Sequence, residues 1–281
     1  MRVPWWTRSG AWMIGILLGL SACTADQGAS GGTSGTTSPS RDPAASAATP
    51  APAPGAEIGR VLVYSRTGGF RHQSIADARD AFELLAEEHG FTVDLTEDQG
   101  VFTRTGLQPY RVVVFLHTTG HVLDPPGQAA LRGWLAEGNG WVGIHGAADG
   151  DKDWDWYIGL VGARFTAHPA IQRATIRVED RGHPSTAILP EAWTRTDEWY
   201  NFDRDPRGKV HVLATLDEHT FEGGEMGDDH PIAWCQPYGG GRSFYTALGH
   251  TEASWTEPLF LDHVLGGLRW AAGAAGDCRP G

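Results

Sequence analysis

Residues 141–149 read WVGIHGAAD, with a single histidine, His145, where an apolar β-forming run meets a group of small residues. Small residues on both sides of one functional side chain are the steric signature of a nucleophile elbow. In such an elbow a strand turns sharply and holds that side chain out over a sheet. Elbows ordinarily present serine or cysteine. A histidine there can serve as a general base near neutral pH, or as a metal ligand through a neutral nitrogen. A second histidine, His250, stands in GHTE (249–252) after another apolar run. Glu252, two residues on, is placed to fix its tautomer, as the acid of a catalytic triad does. Acid–base work is thus expected of His145 and His250, with Glu252 orienting the latter.

Other residues suit substrate positioning. The loop GGFRHQS (68–74) has two glycines that let backbone approach a ligand, followed by Arg71 and His72. Thr119 follows a third apolar run. Asp197, Glu198, Trp199 and Tyr200 set carboxylates beside flat rings, a combination that holds sugar hydroxyls and covers a pyranose face. A second arrangement would set a zinc-like divalent metal between His145, His168 and His250. No HxxxH or CxxC spacing includes these three histidines, so no cofactor is certain from the sequence. His168 and His183 each precede proline, which favours extended turns. Asp228, Asp229 and His230 suit a loop over a cleft or a solvated acidic turn. The acidic run DGDKDWD (149–155) imitates the opening of an EF-hand. It lacks glycine at the sixth place and has Leu160 where the bidentate glutamate belongs, so calcium is discounted.

The elements that must position these residues follow from periodicity. RVLVYS (60–65), FTVDLT (91–96), RVVVFLH (111–117) and WVGIH (141–145) read as strands. Between them, Ser74 is placed to cap a helix over 75–90 that stops at Gly90, and Asp124 to cap one that begins with Pro125. A helix is also expected in WDWYIGL (154–160). Four further strands, ATIRVE, VHVLATL, PIAWCQPY and RSFYTAL, precede a closing helix over 258–273. Strands alternating with helices imply an α/β fold: an open, mostly parallel sheet with helices on both faces. In such sheets function gathers beyond the carboxyl ends of the strands. Histidine follows four of these strands at that edge: His72, His117, His145 and His250. No internal repeat is present.

The chain has 281 residues and a net charge of −12. Residues 1–22 have the form of a lipoprotein signal: Arg2 and Arg8, the short apolar run AWMIGILLGL, then LSAC with Cys23 as the lipidated residue. That run is too short to span a membrane as a helix. Residues 23–57 hold almost only Ala, Pro, Ser, Thr, Gly, Asp, Gln and Arg, the composition of a flexible tether. One domain is expected over 58–273, with a polar tail over 274–281. The expected location is the outer face of a bacterial cell envelope, with membrane contact only through the lipid. An acidic domain with no basic patch excludes nucleic acid as a partner. Cys235 reads as a buried core thiol and Cys278 as part of the tail, in a compartment that permits a bridge between them.

GHTE after an apolar strand resembles the His-x-Glu of class I glutamine amidotransferases, and the elbow stands where that superfamily has Gly-x-Cys-x-Gly. With His145 in place of the cysteine, glutamine hydrolysis through a thioester is excluded. A closer resemblance is to ThuA-like trehalose-utilisation domains. It is carried by GGFRHQS, TTGHVL (118–123), GIHGAAD, WYIGLVGARFTAHP (156–169), HPSTAILP (183–190), DEWYNF (197–202), DHPIAW (229–234) and GRSFYTALGHT (241–251). The resemblance implies flavodoxin-like layering and a carbohydrate as small-molecule partner. The expected function is therefore hydrolysis or isomerisation of an oxidised (keto) disaccharide by histidine chemistry. The alternatives are a non-catalytic sugar-binding lipoprotein and a metal-dependent sugar hydrolase.

Overall fold

A computed structural model describes residues 58–276, 278 and 279; the signal, the tether and Cys23 lie outside the described residues. The chain opens with β1 (Arg60–Tyr64), α1 (Ile75–His89), β2 (Thr92–Thr96) and the short α2 (Arg104–Leu107). It continues through β3 (Val112–Leu116), α3 (Pro125–Ala136), β4 (Gly140–Ile144) and α4 (Asp155–Val161). Seven strands follow: β5 (Phe165–Ala167), β6 (Gln172–Val178), β7 (Ala192–Asp197), β8 (Asn201–Phe202), β9 (His211–Asp217), β10 (Pro231–Tyr238) and β11 (Gly241–Thr246). Helix α5 (Pro258–Ala272) closes the domain.

Nine strands form one sheet in the order β2-β1-β3-β4-β11-β10-β9-β6-β7. The first five are parallel to one another, and every pairing from β11 to β7 is antiparallel. The residue patterns explain the division. All five residues of β3 and of β4 are buried, as a strand covered on both faces requires. In β7 burial alternates strictly, so one face remains wet, as antiparallel strands tolerate. Side chains of β11 show that helices cover both faces of the parallel half. Ser243 donates to the Leu160 carbonyl of α4, while Phe244, one residue on and pointing the other way, lies against His263 of α5.

The parallel strands end level with one another. Tyr64 pairs with Phe115, Leu116 with Ile144, and Ile144 with Thr246, so the residues that follow emerge along one edge. Asp124 caps α3 through the Gly127 N–H at 2.8 Å, and Gly90 ends α1 at φ 70°. Ser74 differs from expectation. Its hydroxyl makes no cap bond and instead lies 3.4 Å from Nε2 of His117.

Two further features were either not anticipated or left open by the sequence. The region 192–202 supplies β7 and β8, the latter pairing with β5 in a separate two-stranded sheet. Cys235 is not a free thiol: it is bonded to Cys278 with the Cα atoms 5.5 Å apart. The segment after α5 is therefore fastened to β10, and Arg242 also holds it through the Ala274 carbonyl at 2.7 Å. Among the described residues no helix is long and apolar enough to cross a membrane.

Candidate active site

Strands β3 and β4 each deliver a histidine in the left-handed region, His117 at φ 51° and His145 at φ 47°. For a residue with a Cβ this conformation costs roughly 1–2 kcal/mol, which the surrounding packing must offset. Beyond β4 the chain enters a 3₁₀ turn over His145–Asp149. The small residues of the elbow have distinct reasons. A Cβ on Gly146 would lie 3.1 Å from both the His117 Cα and the His72 ring, whereas one on Gly143 would strike the Trp141 ring at 2.2 Å. Gly146 makes room for the histidines; Gly143 makes room for the core.

His145 is fully buried and its nitrogens are both directed. Nδ1 lies 2.6 Å from the Ala247 carbonyl just beyond β11, and a carbonyl only accepts, so this nitrogen carries hydrogen. Nε2 then faces Glu198 Oε2 at 3.2 Å and His250 Nδ1 at 3.1 Å. His250 Nδ1 is in turn 3.1 Å from the same carboxylate oxygen, which closes a nearly equilateral triangle. His72 stacks on His117 with ring centroids 4.6 Å apart and meets His145 and His250 edge-on at 5.0 and 5.1 Å. One donor atom from each of His72, His145, Glu198 and His250 lies within 4.8 Å of the others.

Asp197 organises this group from below. Its buried carboxylate accepts the backbone N–H groups of Glu198 at 3.0 Å, Gly249 at 2.8 Å and His250 at 3.0 Å, and pairs with Arg195 at 3.2 Å. One side chain thereby fixes the end of β7 against the loop after β11. His168 holds the outer side of Glu198, its Nδ1 lying 3.1 Å from Oε1 and 2.9 Å from the Pro169 carbonyl.

The electrostatics follow from burial. It pushes the His72 imidazole down to about 3, reinforced by His145 and His250, and holds His117 well below the ordinary histidine range. Burial alone would raise the Glu198 carboxyl, but hydrogen bonds with His145 and His250 outweigh it and keep the group below the usual carboxylate range. Burial therefore favours neutral rings at His72 and His117, beside an ionised Glu198.

A cavity of about 280 Å³ opens over the cluster, at the small end of the roughly 300–1,000 Å³ usual for ligand pockets. Phe70, Phe165 and Tyr200 form its apolar wall, and Glu198, His250 and His168 its polar floor. A wider cavity of about 480 Å³ shares Phe70 and His250 with it.

Of the residues singled out in the sequence, the structure brings together His72, His145, Glu198 and His250. Thr119 lines the inner cavity, its hydroxyl donating to the Phe70 carbonyl at 2.6 Å. Arg71 lines the outer cavity and pairs with Glu97 at 2.7 Å. Glu252 is exposed at the outer cavity and makes no bond to His250, whose carboxylate partner is Glu198. Trp199 is buried, its indole donating to the Gln172 carbonyl at 2.9 Å, so it offers no stacking face. The adjacent Tyr200 lines the cavity but is itself only 2% exposed, its ring packed 4.0 Å from that of His145 and 4.1 Å from that of Phe165. Phe70 and Phe165 are missing from the residues chosen by sequence, although Phe70 adjoins one that was chosen. His183 lies elsewhere, 2.8 Å from the Ser185 hydroxyl, and the sulfurs near it are bonded to each other. Asp229 pairs with Arg207, and His230 is buried between Glu218 and the Tyr200 carbonyl, so that stretch is not a loop over the cavity.

Comparison with known proteins agrees with this architecture. The family model ThuA, described as trehalose utilisation, matches residues 60–271. A ThuA-like protein from Bacteroides uniformis is 24% identical, with a TM-score of 0.65 over 80% of this chain and 95% of its own. One from Parabacteroides merdae is 21% identical, with a TM-score of 0.64 over 78% and 91%. A β-galactosidase from Bacillus circulans shares the fold more distantly, at 13% identity and a TM-score of 0.51, over 80% of this chain but only 32% of its own. At these identities the solved structures speak to fold alone. Among curated proteins there is no match.

Proposed function

The chain belongs to the ThuA family, described as trehalose utilisation, and from that premise we propose that it is an exported enzyme acting on an oxidised (keto) disaccharide. The observation that carries this reading is the union of cluster and cavity. Glu198 and His250 belong to the buried imidazole–carboxylate group and also line an aromatic-walled pocket. A carbonyl on a sugar ring acidifies the neighbouring C–H. Hydrolytic, eliminative and isomerising routes can all begin by moving that proton to a base while charge gathers on the carbonyl oxygen. His168 and His250 face the cavity and are the groups suited to carry the proton. His72 also lines the cavity, whereas the fully buried His145 lies beneath it, so its contribution is to set the charge and position of the cluster. Phe70 and Phe165 suit the apolar face of a ring.

Export is supported by the signal-like residues 1–22 and by the Cys235–Cys278 bond, which an oxidising compartment favours. Attachment through lipid at Cys23 rests on LSAC alone. Product formation from trehalose and from keto-disaccharides, compared with Glu198→Gln, tests the enzymatic reading. Turnover by the natural protein, lost in a variant whose circular dichroism is unchanged, is the expected result. Saturable sugar binding without turnover would favour a sugar-binding lipoprotein instead.

A further inference from the structure

We infer that His72, His145, Glu198 and His250 form a binding site for one divalent transition-metal ion of the zinc type. This rests on the enzymatic reading above only for its consequence; the geometry stands by itself. Around a tetrahedral ion with bonds of about 2.05 Å, neighbouring donor atoms lie about 3.3 Å apart. The His145 Nε2, Glu198 Oε2 and His250 Nδ1 atoms are separated by 3.2, 3.1 and 3.1 Å. Three donors at that spacing form one face of a coordination polyhedron.

The hydrogen-bond pattern favours a cation over a simple network. The Ala247 carbonyl takes the Nδ1–H of His145, so in the neutral ring the lone pair on Nε2 is directed at a carboxylate oxygen. Two acceptors facing one another repel unless something positive lies between them. The His250 ring has at most one proton to offer at Nδ1, shared between both. His72, 4% exposed, adds a further nitrogen to the group, and its Nδ1 is buried without a partner. A buried imidazole nitrogen left unpaired is costly unless a ligand uses the site.

The surroundings have the form of an outer shell. His145 is fixed by a backbone carbonyl, Glu198 by the His168 imidazole 3.1 Å from its other oxygen, and the backbone of Glu198 and His250 by Asp197. Such partners orient ligands and tune their basicity. Three imidazoles and one carboxylate suit zinc and its first-row neighbours, whereas magnesium and calcium select all-oxygen sites. The set anticipated from sequence, His145, His168 and His250, thus gives way to one in which His168 positions Glu198. The open side of the cluster faces the cavity. There the ion would polarise a sugar carbonyl, and His168 remains the imidazole free to carry a proton.

The test is titration of the metal-stripped full-length protein with Co²⁺, followed by displacement with Zn²⁺, with Mg²⁺ as control. One equivalent per chain with cobalt ligand-field absorption is expected, lost on adding zinc and unaffected by magnesium. Glu198→Gln and His145→Ala should each weaken binding more than 100-fold, and His168→Gln by about tenfold. No saturable cobalt or zinc uptake by the folded natural protein would overturn the inference, as would uptake unchanged in both ligand variants. Turnover of a keto-disaccharide by protein that takes up no metal would remove the metal and leave the enzyme. Stoichiometric metal with no turnover of any sugar would support the site and remove the enzyme.

Discussion

Two buried histidines are held by neighbouring residues at the end of β11, and they are built differently. On one side of the sheet, His263 of α5 has both nitrogens answered by protein, Nδ1 by the Ser185 carbonyl and Nε2 by the Thr246 hydroxyl, each at 3.0 Å. His145 receives the carbonyl of the next residue, Ala247, on one nitrogen only. Its other nitrogen is turned toward a second imidazole and a carboxylate that also lack a definite donor. Burial is the same in both places. What separates a structural histidine from a chemical one is whether its hydrogen-bonding capacity is closed within the fold or left facing other donor atoms.

The strongest way to break this distinction is His145→Ala. Turnover is expected to fall by at least 10³-fold, about 4 kcal/mol of barrier, with the far-ultraviolet circular dichroism retained. Steady-state rates on keto-disaccharides check it, and a fall of less than tenfold would make His145 structural after all. His263→Ala should do the reverse. It removes the imidazole partner of the Thr246 hydroxyl and the Ser185 carbonyl and opens a void, and should cost about 2–4 kcal/mol in urea unfolding while turnover per folded molecule is unchanged.

Acid sharpens the comparison further. Burial pushes His183 and His263 down to about 3 and about 4, against about 6.5 in an unfolded chain. The unfolded state therefore takes up protons below about pH 6.5 that the folded state refuses, so their contribution is level above that pH and stability falls from there toward pH 4. The denaturation midpoint at pH 7 and pH 4.5 measures the slope, which should be shallower in His263→Leu. The smallest effect belongs to Glu252→Gln, for which less than a threefold change in turnover is expected. A large loss there would return Glu252 to the role that Glu198 now fills.

Local patterns carried most of the fold. The fully apolar runs of β3 and β4, the Asp124 cap and the stop at Gly90 are decisions made within a few residues, and they are legible in the chain. Strand ends that bring histidine to one edge were legible for the same reason. The carboxylate was not. Glu252 is His250's near neighbour in sequence, but the 3₁₀ turn that it begins carries it into solvent, and the partner comes instead from the end of β7 through backbone bonds to Asp197. Alternation explains a second exchange. At the end of a strand successive side chains point opposite ways, so once Trp199 turns inward to the Gln172 carbonyl, Tyr200 faces the cavity. The pairing of Cys235 with Cys278 likewise depended on where α5 ends relative to β10, which no spacing reveals.

The parallel half of the sheet also gives the domain a direction. β1 begins at Arg60, two residues after the first described residue, and its five residues advance about 16 Å before the histidine loops appear. Whatever precedes Ile58 thus joins the domain at the opposite rim from the cavity.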